Sequence, residues 1–139
     1  MANVPENALE GWDIVVVDDD PFSLDVARMI LSHYGATVHT ATNGAEGLES
    51  VRAVIPRFII SDISMPVMDG WEMVRRLKGD GRTASIPVIA LTAHAMIGDR
   101  ERAIAAGCHN YMSKPLTPST FMRDLLRLLV DIPELNLAS

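Results

Sequence analysis

Four short apolar runs in this chain each end on a polar residue, and that repetition fixes the class of fold. Ile14-Val15-Val16-Val17 stops at Asp18-Asp19-Asp20, and Phe58-Ile59-Ile60-Ser61 stops at Asp62. Ile86-Pro87-Val88-Ile89-Ala90-Leu91 stops at Thr92, and Tyr111-Met112-Ser113 stops at Lys114. Runs this short read as buried parallel strands, because a strand covered on both faces has no polar side to alternate with. Residues 13–18, 36–41, 57–61, 86–91 and 109–112 are the expected strands. Helical patterns fill the intervals. Asp20 then Pro21 places an N-cap before a proline at the first helical position, and that helix runs to about His33, ahead of Tyr34-Gly35. Further helices are expected over 44–53, from Trp71 to Lys78, over 98–106 before Gly107, and from Thr117-Pro118 to about Asp131. The order βαβαβαβαβα gives an α/β fold: a doubly wound five-stranded parallel sheet with helices on both faces.

The 139 residues suffice for one domain with a real core, expected over 12–131, with a loose leader at 1–11 and a tail at 132–139. A net charge of −6 argues against nucleic acid as a direct partner, since phosphate binding needs a basic face. Arg75-Arg76-Lys78 and Arg100-Arg102 read as solvated helix faces. The single Cys108 excludes an internal disulfide, reads as a small buried thiol and fits a reducing, cytoplasmic setting. His33, His39, His94 and His109 have no second ligand at metal spacing, and Met65, Met68, Met73, Met96 and Met122 read as core and loop filler. No apolar run approaches the ~20 residues of a membrane span, and no signal peptide is expected.

In open α/β sheets, ligands gather beyond the carboxyl ends of the strands. Asp18, Asp19, Asp62, Thr92 and Lys114 would therefore meet on one edge. Three carboxylates that close repel one another, and an all-oxygen, partly hydrated cluster suits Mg²⁺, or Mn²⁺ in its place. Lys114 would add an ammonium, fixed at a bend by Pro115. A phosphoryl group on one carboxylate would share its oxygens among metal, ammonium, the Thr92 hydroxyl and the Ala93 N–H, as phosphoryl transfer requires. Asp62, alone at its strand end, is the better nucleophile; Asp18-Asp19 is placed for metal, and Asp20 for capping.

In combination these motifs resemble the receiver domain of bacterial two-component response regulators. The resemblance runs from about Trp12 to Leu129. It is carried by Val-Val-Val-Asp18-Asp19-Asp20, Ser61-Asp62-Ile63-Ser64-Met65-Pro66-Val67-Met68-Asp69-Gly70, Ala90-Leu91-Thr92-Ala93 and Tyr111-Met112-Ser113-Lys114-Pro115. It implies a flavodoxin-like, CheY-like (βα)5 fold with strand order 2-1-3-4-5. It implies that Asp62 accepts phosphate from a histidine kinase or phosphotransfer protein. Asp18, Asp19 and the Ser64 backbone carbonyl would bind Mg²⁺, and Thr92 and Lys114 would contact the phosphoryl group. Thr92 and Tyr111 match a switch pair that remodels the face of the fourth helix, fifth strand and fifth helix for a downstream protein. That face also offers a homodimer contact. Ser64 and His94 sit where side chains tune phosphate loss, and Ala95-Met96-Ile97 is either a partner patch or an inward-tucked first turn. Thr-Ala-His-Ala-Met also resembles receivers within hybrid sensor kinases, so the chain can be a segment of something longer.

Catalysis on such a domain would be self-directed, with no external turnover. Two other readings stay open. Asp18-x-Asp20 resembles the nucleophile and acid of haloacid-dehalogenase-like phosphohydrolases, although Phe22 and Pro21 depart from that pattern. A receiver-like module that works unphosphorylated is the other.

Overall fold

The computed structural model describes residues 7–62, 70–92, 101, 104, 105, 107, 108, 110–113 and 118–130. The strands are β1 (Asp13–Val17), β2 (Thr37–Ala41), β3 (Phe58–Asp62), β4 (Val88–Thr92) and β5 (Asn110–Ser113). They pair in parallel in the order β2-β1-β3-β4-β5, the order the resemblance implies. The helices are α1 (Pro21–His33), α2 (Gly44–Val54), α3 (Gly70–Lys78) and α4 (Pro118–Val130), the last being the fifth of the expected series. Most of the helix expected over 98–106 lies outside the described residues.

Strand alternation sorts the core into two layers. Ile14 and Val16 point to the face where α1 supplies Leu24, Ala27 and Leu31, and α4 supplies Phe121, Leu125 and Leu129. Val15 and Val17 point to the other, against Leu48 and Val51 of α2 and Met73, Val74 and Leu77 of α3. The four apolar side chains of β1, Ile14 to Val17, are buried, each stabilising the fold by about 1.5–3 kcal/mol. Among the Met residues, Met73 and Met122 are core, as expected; Met65, Met68 and Met96 lie outside the described residues.

Three expectations change. Residues 7–11 are not loose: they form a turn that buries Leu9 completely and donates its N–H to the Tyr34 carbonyl at 2.9 Å. A stretch this short, with Leu9 flanked only by Ala8 and Trp12 as apolar residues, sustains no periodicity, so its burial leaves no pattern to read. The fourth strand begins two residues later than expected, at Val88. Pro87 has no N–H for the ladder, and Ile86 turns its N–H to the Thr83 carbonyl at 3.1 Å. Lys78 is not a solvated charge either. Its ammonium donates to the carbonyls of Ala84 (2.9 Å) and Ile86 (2.8 Å), pinning the turn between α3 and β4. Arg75 and Arg76 do lie exposed, paired with Glu72 in solvent-screened contacts that add little to stability.

Candidate functional site

Register builds the site. Val17 is the partner of Ser61, which brings Asp18, one residue past β1, next to Asp62, the last residue of β3. Asp62 in turn pairs with Leu91, and Thr92 with Ser113. The ends of β1, β3, β4 and β5 therefore share one edge, as the four apolar runs require.

One carboxylate oxygen from each of Asp18, Asp19 and Asp62 lies within 4.8 Å of the others. Asp18 is fully buried and Asp62 nearly so, while Asp19 is exposed. An apolar approach to β1 and β3 leaves their ends inside the fold, and the chain must turn at Asp18-Asp19-Asp20 to enter α1. The turn is held by Asp18 itself, whose Oδ1 accepts the Asp20 N–H at 2.9 Å. Asp20 is occupied in capping, as expected: Oδ1 accepts the Phe22 N–H at 3.1 Å and Oδ2 the Ser23 hydroxyl at 3.0 Å. Ser61, buried beneath the cluster, donates its hydroxyl to the Asp62 carbonyl at 2.9 Å.

Three oxygen donors, two buried and one facing solvent, form a set that fits a hard divalent cation keeping some of its water. Soft metals would ask for the thiol or imidazoles that this edge lacks among the described residues.

Ser64, Ala93, His94 and Lys114, with Ala95-Met96-Ile97, lie outside the described residues. Tyr111 on β5 is half-buried and packs against the α2–α3 layer through the cluster that includes Ala90, its neighbour in register, and Cys108. Sequence reasoning missed one neighbour of the site. Trp71, from the first turn of α3, lines a narrow crevice together with Asp62, Val74, Val88 and Cys108. No sequence signal marks it, since Trp71 comes to share this crevice with Asp62 only through the packing of α3. Burial pushes the Cys108 thiol up to about 11. Of the histidines, His39 is not isolated: Nε2 lies 3.1 Å from Asp13 Oδ1 on the neighbouring strand.

The profile of the family described as response regulator receiver domain matches residues 14–126. A 14.6 kDa protein of Leptolyngbya boryana is 40% identical over 115 residues, covering 83% of this chain and 88% of the relative. The polar-differentiation response regulator DivK of Brucella anthropi is 35% identical over 118 residues, 85% of this chain and 96% of its own. Among solved structures, the chemotaxis response regulator CheY4 of Vibrio cholerae aligns at a TM-score of 0.79 and 29% identity, covering 85% of this chain and 98% of that one. The receiver domain of the sensor histidine kinase PA1611 from Pseudomonas aeruginosa aligns at 0.76 and 30%, covering 87% and 99%. That structure has a magnesium ion coordinated in its active-site cleft.

Proposed function

Because this chain belongs to the response regulator receiver domain family, we propose that it is a phosphoacceptor switch of a two-component phosphorelay, with Asp62 taking the phosphoryl group. The observation that carries this reading is the near-buried Asp62 carboxylate, held in a strand within 4.8 Å of two further carboxylates. A lone carboxylate would be a poor home for a second anion. One crowded by acidic neighbours is a place where a divalent cation relieves repulsion and then offsets the charge of an incoming phosphoryl group.

In this reading a carboxylate oxygen of Asp62 attacks the phosphorus of a phosphohistidine on a kinase or phosphotransfer protein. The O–P bond forms as the P–N bond breaks, and the departing imidazole keeps the electron pair. Asp18, Asp19, Asp62 and the Ser64 carbonyl would hold Mg²⁺ or Mn²⁺, which when bound neutralises charge on the phosphoryl oxygens. Thr92, the Ala93 N–H and Lys114 would receive the remaining oxygens, on the strength of the resemblance. Thr92 and Tyr111 would pass the change to the face of β5 and α4, where a downstream protein or a second copy binds. The chemistry is self-directed: phosphotransfer onto Asp62 and its slow hydrolysis. A cytoplasmic setting suits it, and no helix among the described residues is long and apolar enough to cross a membrane.

Against the hydrolase reading stands Asp20. Its two oxygens are engaged in capping α1, where a general acid must be free to surrender a proton.

The test is incubation with acetyl phosphate and Mg²⁺, read by intact mass. One hydroxylamine-labile phosphoryl group per chain is expected, absent from Asp62→Asn and absent without a divalent ion. Phosphate uptake by Asp62→Asn at the wild-type rate would overturn the assignment.

A further inference from the structure

Ser61 breaks the apolar run of β3. Phe58, Ile59 and Ile60 precede it, yet the position before Asp62 carries a hydroxyl, and that residue is only 2% exposed. Its register partners are Val17 on β1 and Ala90 on β4. Alternation turns it to the same face as Ile59, towards the α2–α3 layer, where it lines the crevice with Trp71, Val74, Val88 and Cys108. A hydroxyl among such neighbours is costly to bury unless it is hydrogen-bonded. Its bond goes to the backbone of the adjacent acid: Oγ donates to the Asp62 carbonyl at 2.9 Å.

That carbonyl belongs to the last residue of β3, where the chain leaves the sheet. Holding it limits ψ at Asp62, and the rotamers open to a side chain depend on φ and ψ. Asp18 is fixed by a local bond of its own, its Oδ1 accepting the Asp20 N–H at 2.9 Å. We propose that Ser61 is a positioning residue. By holding the Asp62 peptide, its hydroxyl keeps the Asp62 carboxylate in the rotamer that brings an oxygen within 4.8 Å of those of Asp18 and Asp19. The inference rests on the function proposed above, in which these three carboxylates share a divalent ion. Without the hydroxyl, Asp62 divides its time among rotamers, and the ion must select the productive one. Apparent affinity then falls in proportion to the productive fraction, whereas saturating Mg²⁺ puts the carboxylate back in place.

The test compares wild type, Ser61→Ala and Ser61→Thr by calorimetric Mg²⁺ titration, by melting in EDTA, and by the Mg²⁺ dependence of uptake from acetyl phosphate. Ser61→Ala should bind Mg²⁺ about fivefold more weakly, with the uptake rate at saturating Mg²⁺ within about twofold of wild type. Ser61→Thr keeps the hydroxyl and should restore the affinity to within about twofold. A residue that only fills space would lower Tm and leave the Mg²⁺ affinity unchanged, so that result overturns the inference. A slower saturated rate at unchanged affinity overturns it as well. If the extra methyl of threonine prevents folding, Ser61→Cys takes its place. Close in size but a poor donor, it should bind Mg²⁺ as weakly as Ser61→Ala, and wild-type affinity there would likewise sink the positioning role. A wild type that binds Mg²⁺ but takes up no phosphate removes the proposed function, while the titration still decides Ser61.

Discussion

Val17 of β1 and Ser61 of β3 are register partners, so the next residue of each strand delivers a buried carboxylate to the same place. Removing Asp18 and Asp62 from water beside each other is unfavourable unless something of opposite charge joins them. Two strands whose inner runs, Ile14–Val17 and Phe58–Ile60, are apolar thus end in a preorganised acidic pocket. The rigidity of β1 and β3 keeps the carboxylates from relaxing apart.

That tension is measurable without any phosphodonor. Adding Mg²⁺ is expected to raise Tm, because a ligand bound only by the folded state stabilises by RT ln(1 + [L]/Kd). At tenfold above Kd this is about 1.4 kcal/mol, or roughly 3–5 °C for a domain of this size. Asp62→Asn removes one charge of the cluster, so it should melt higher than wild type in EDTA and gain little from Mg²⁺. Thermal scans of both proteins with and without the ion check this. Equal Mg²⁺ shifts in both would show that the cluster does not hold the metal.

Asp20 separates capping from chemistry. Asp20→Ala should lower stability by about 1 kcal/mol, the usual loss for an N-cap, with Asp20→Asn close to wild type. Neither should abolish phosphate uptake on Asp62. Urea melts paired with intact mass after acetyl phosphate treatment give both readouts. Loss of all uptake in Asp20→Asn, with stability kept, would revive a catalytic role for Asp20.

Much of this architecture is legible in the chain itself. The apolar runs ending at Asp18, Asp62, Thr92 and Lys114 specify strands, their direction and a shared edge, because burial on both faces leaves few alternatives. The meeting of Asp18, Asp19 and Asp62 follows from that order. What escapes sequence reading depends on single contacts across long separations. Leu9 belongs to no sustained helical or strand pattern, with only Ala8 and Trp12 as apolar neighbours in a short polar stretch. Lys78 reads as one more charge beside Arg75 and Arg76 until the turn before β4 folds over it. The crevice that Trp71 shares with Asp62, and the approach of His39 to Asp13, are set by packing and register that no local pattern encodes.

Gly47 tests how tightly α2 must seat behind the acidic edge. A Cβ there would meet Val17 Cγ2 at 2.9 Å and Met73 Sδ at 2.7 Å. The thioether can swing away, but Val17 is β-branched and fixed in β1, one residue before Asp18. Gly47→Ala is therefore expected to destabilise by about 1–3 kcal/mol despite its better helix propensity. It should also weaken Mg²⁺ binding by displacing Val17. Chemical denaturation and metal titration report the two effects. A variant more stable than wild type would mean that the helix shifts freely.

Cys108 supplies a pH dependence whose sign is fixed by burial. The folded thiol is pushed up to about 11 from its ordinary 9.0, mainly because its thiolate would be stripped of water, with Lys78 opposing weakly. Below pH 9 the thiol is neutral in both states and costs nothing. Between about 9 and 11 the unfolded chain loses its proton while the folded one keeps it, so stability falls as pH rises through that window, by on the order of 2–3 kcal/mol. Lysines and tyrosines titrate there too, so the measurement is a difference. The stability of wild type minus that of Cys108→Ala should be flat up to pH 8 and decline towards pH 11. The same protection predicts slow alkylation of Cys108 by iodoacetamide in the native state at neutral pH, and fast alkylation in urea. A difference curve that stays level to pH 11 would place the thiol in contact with solvent.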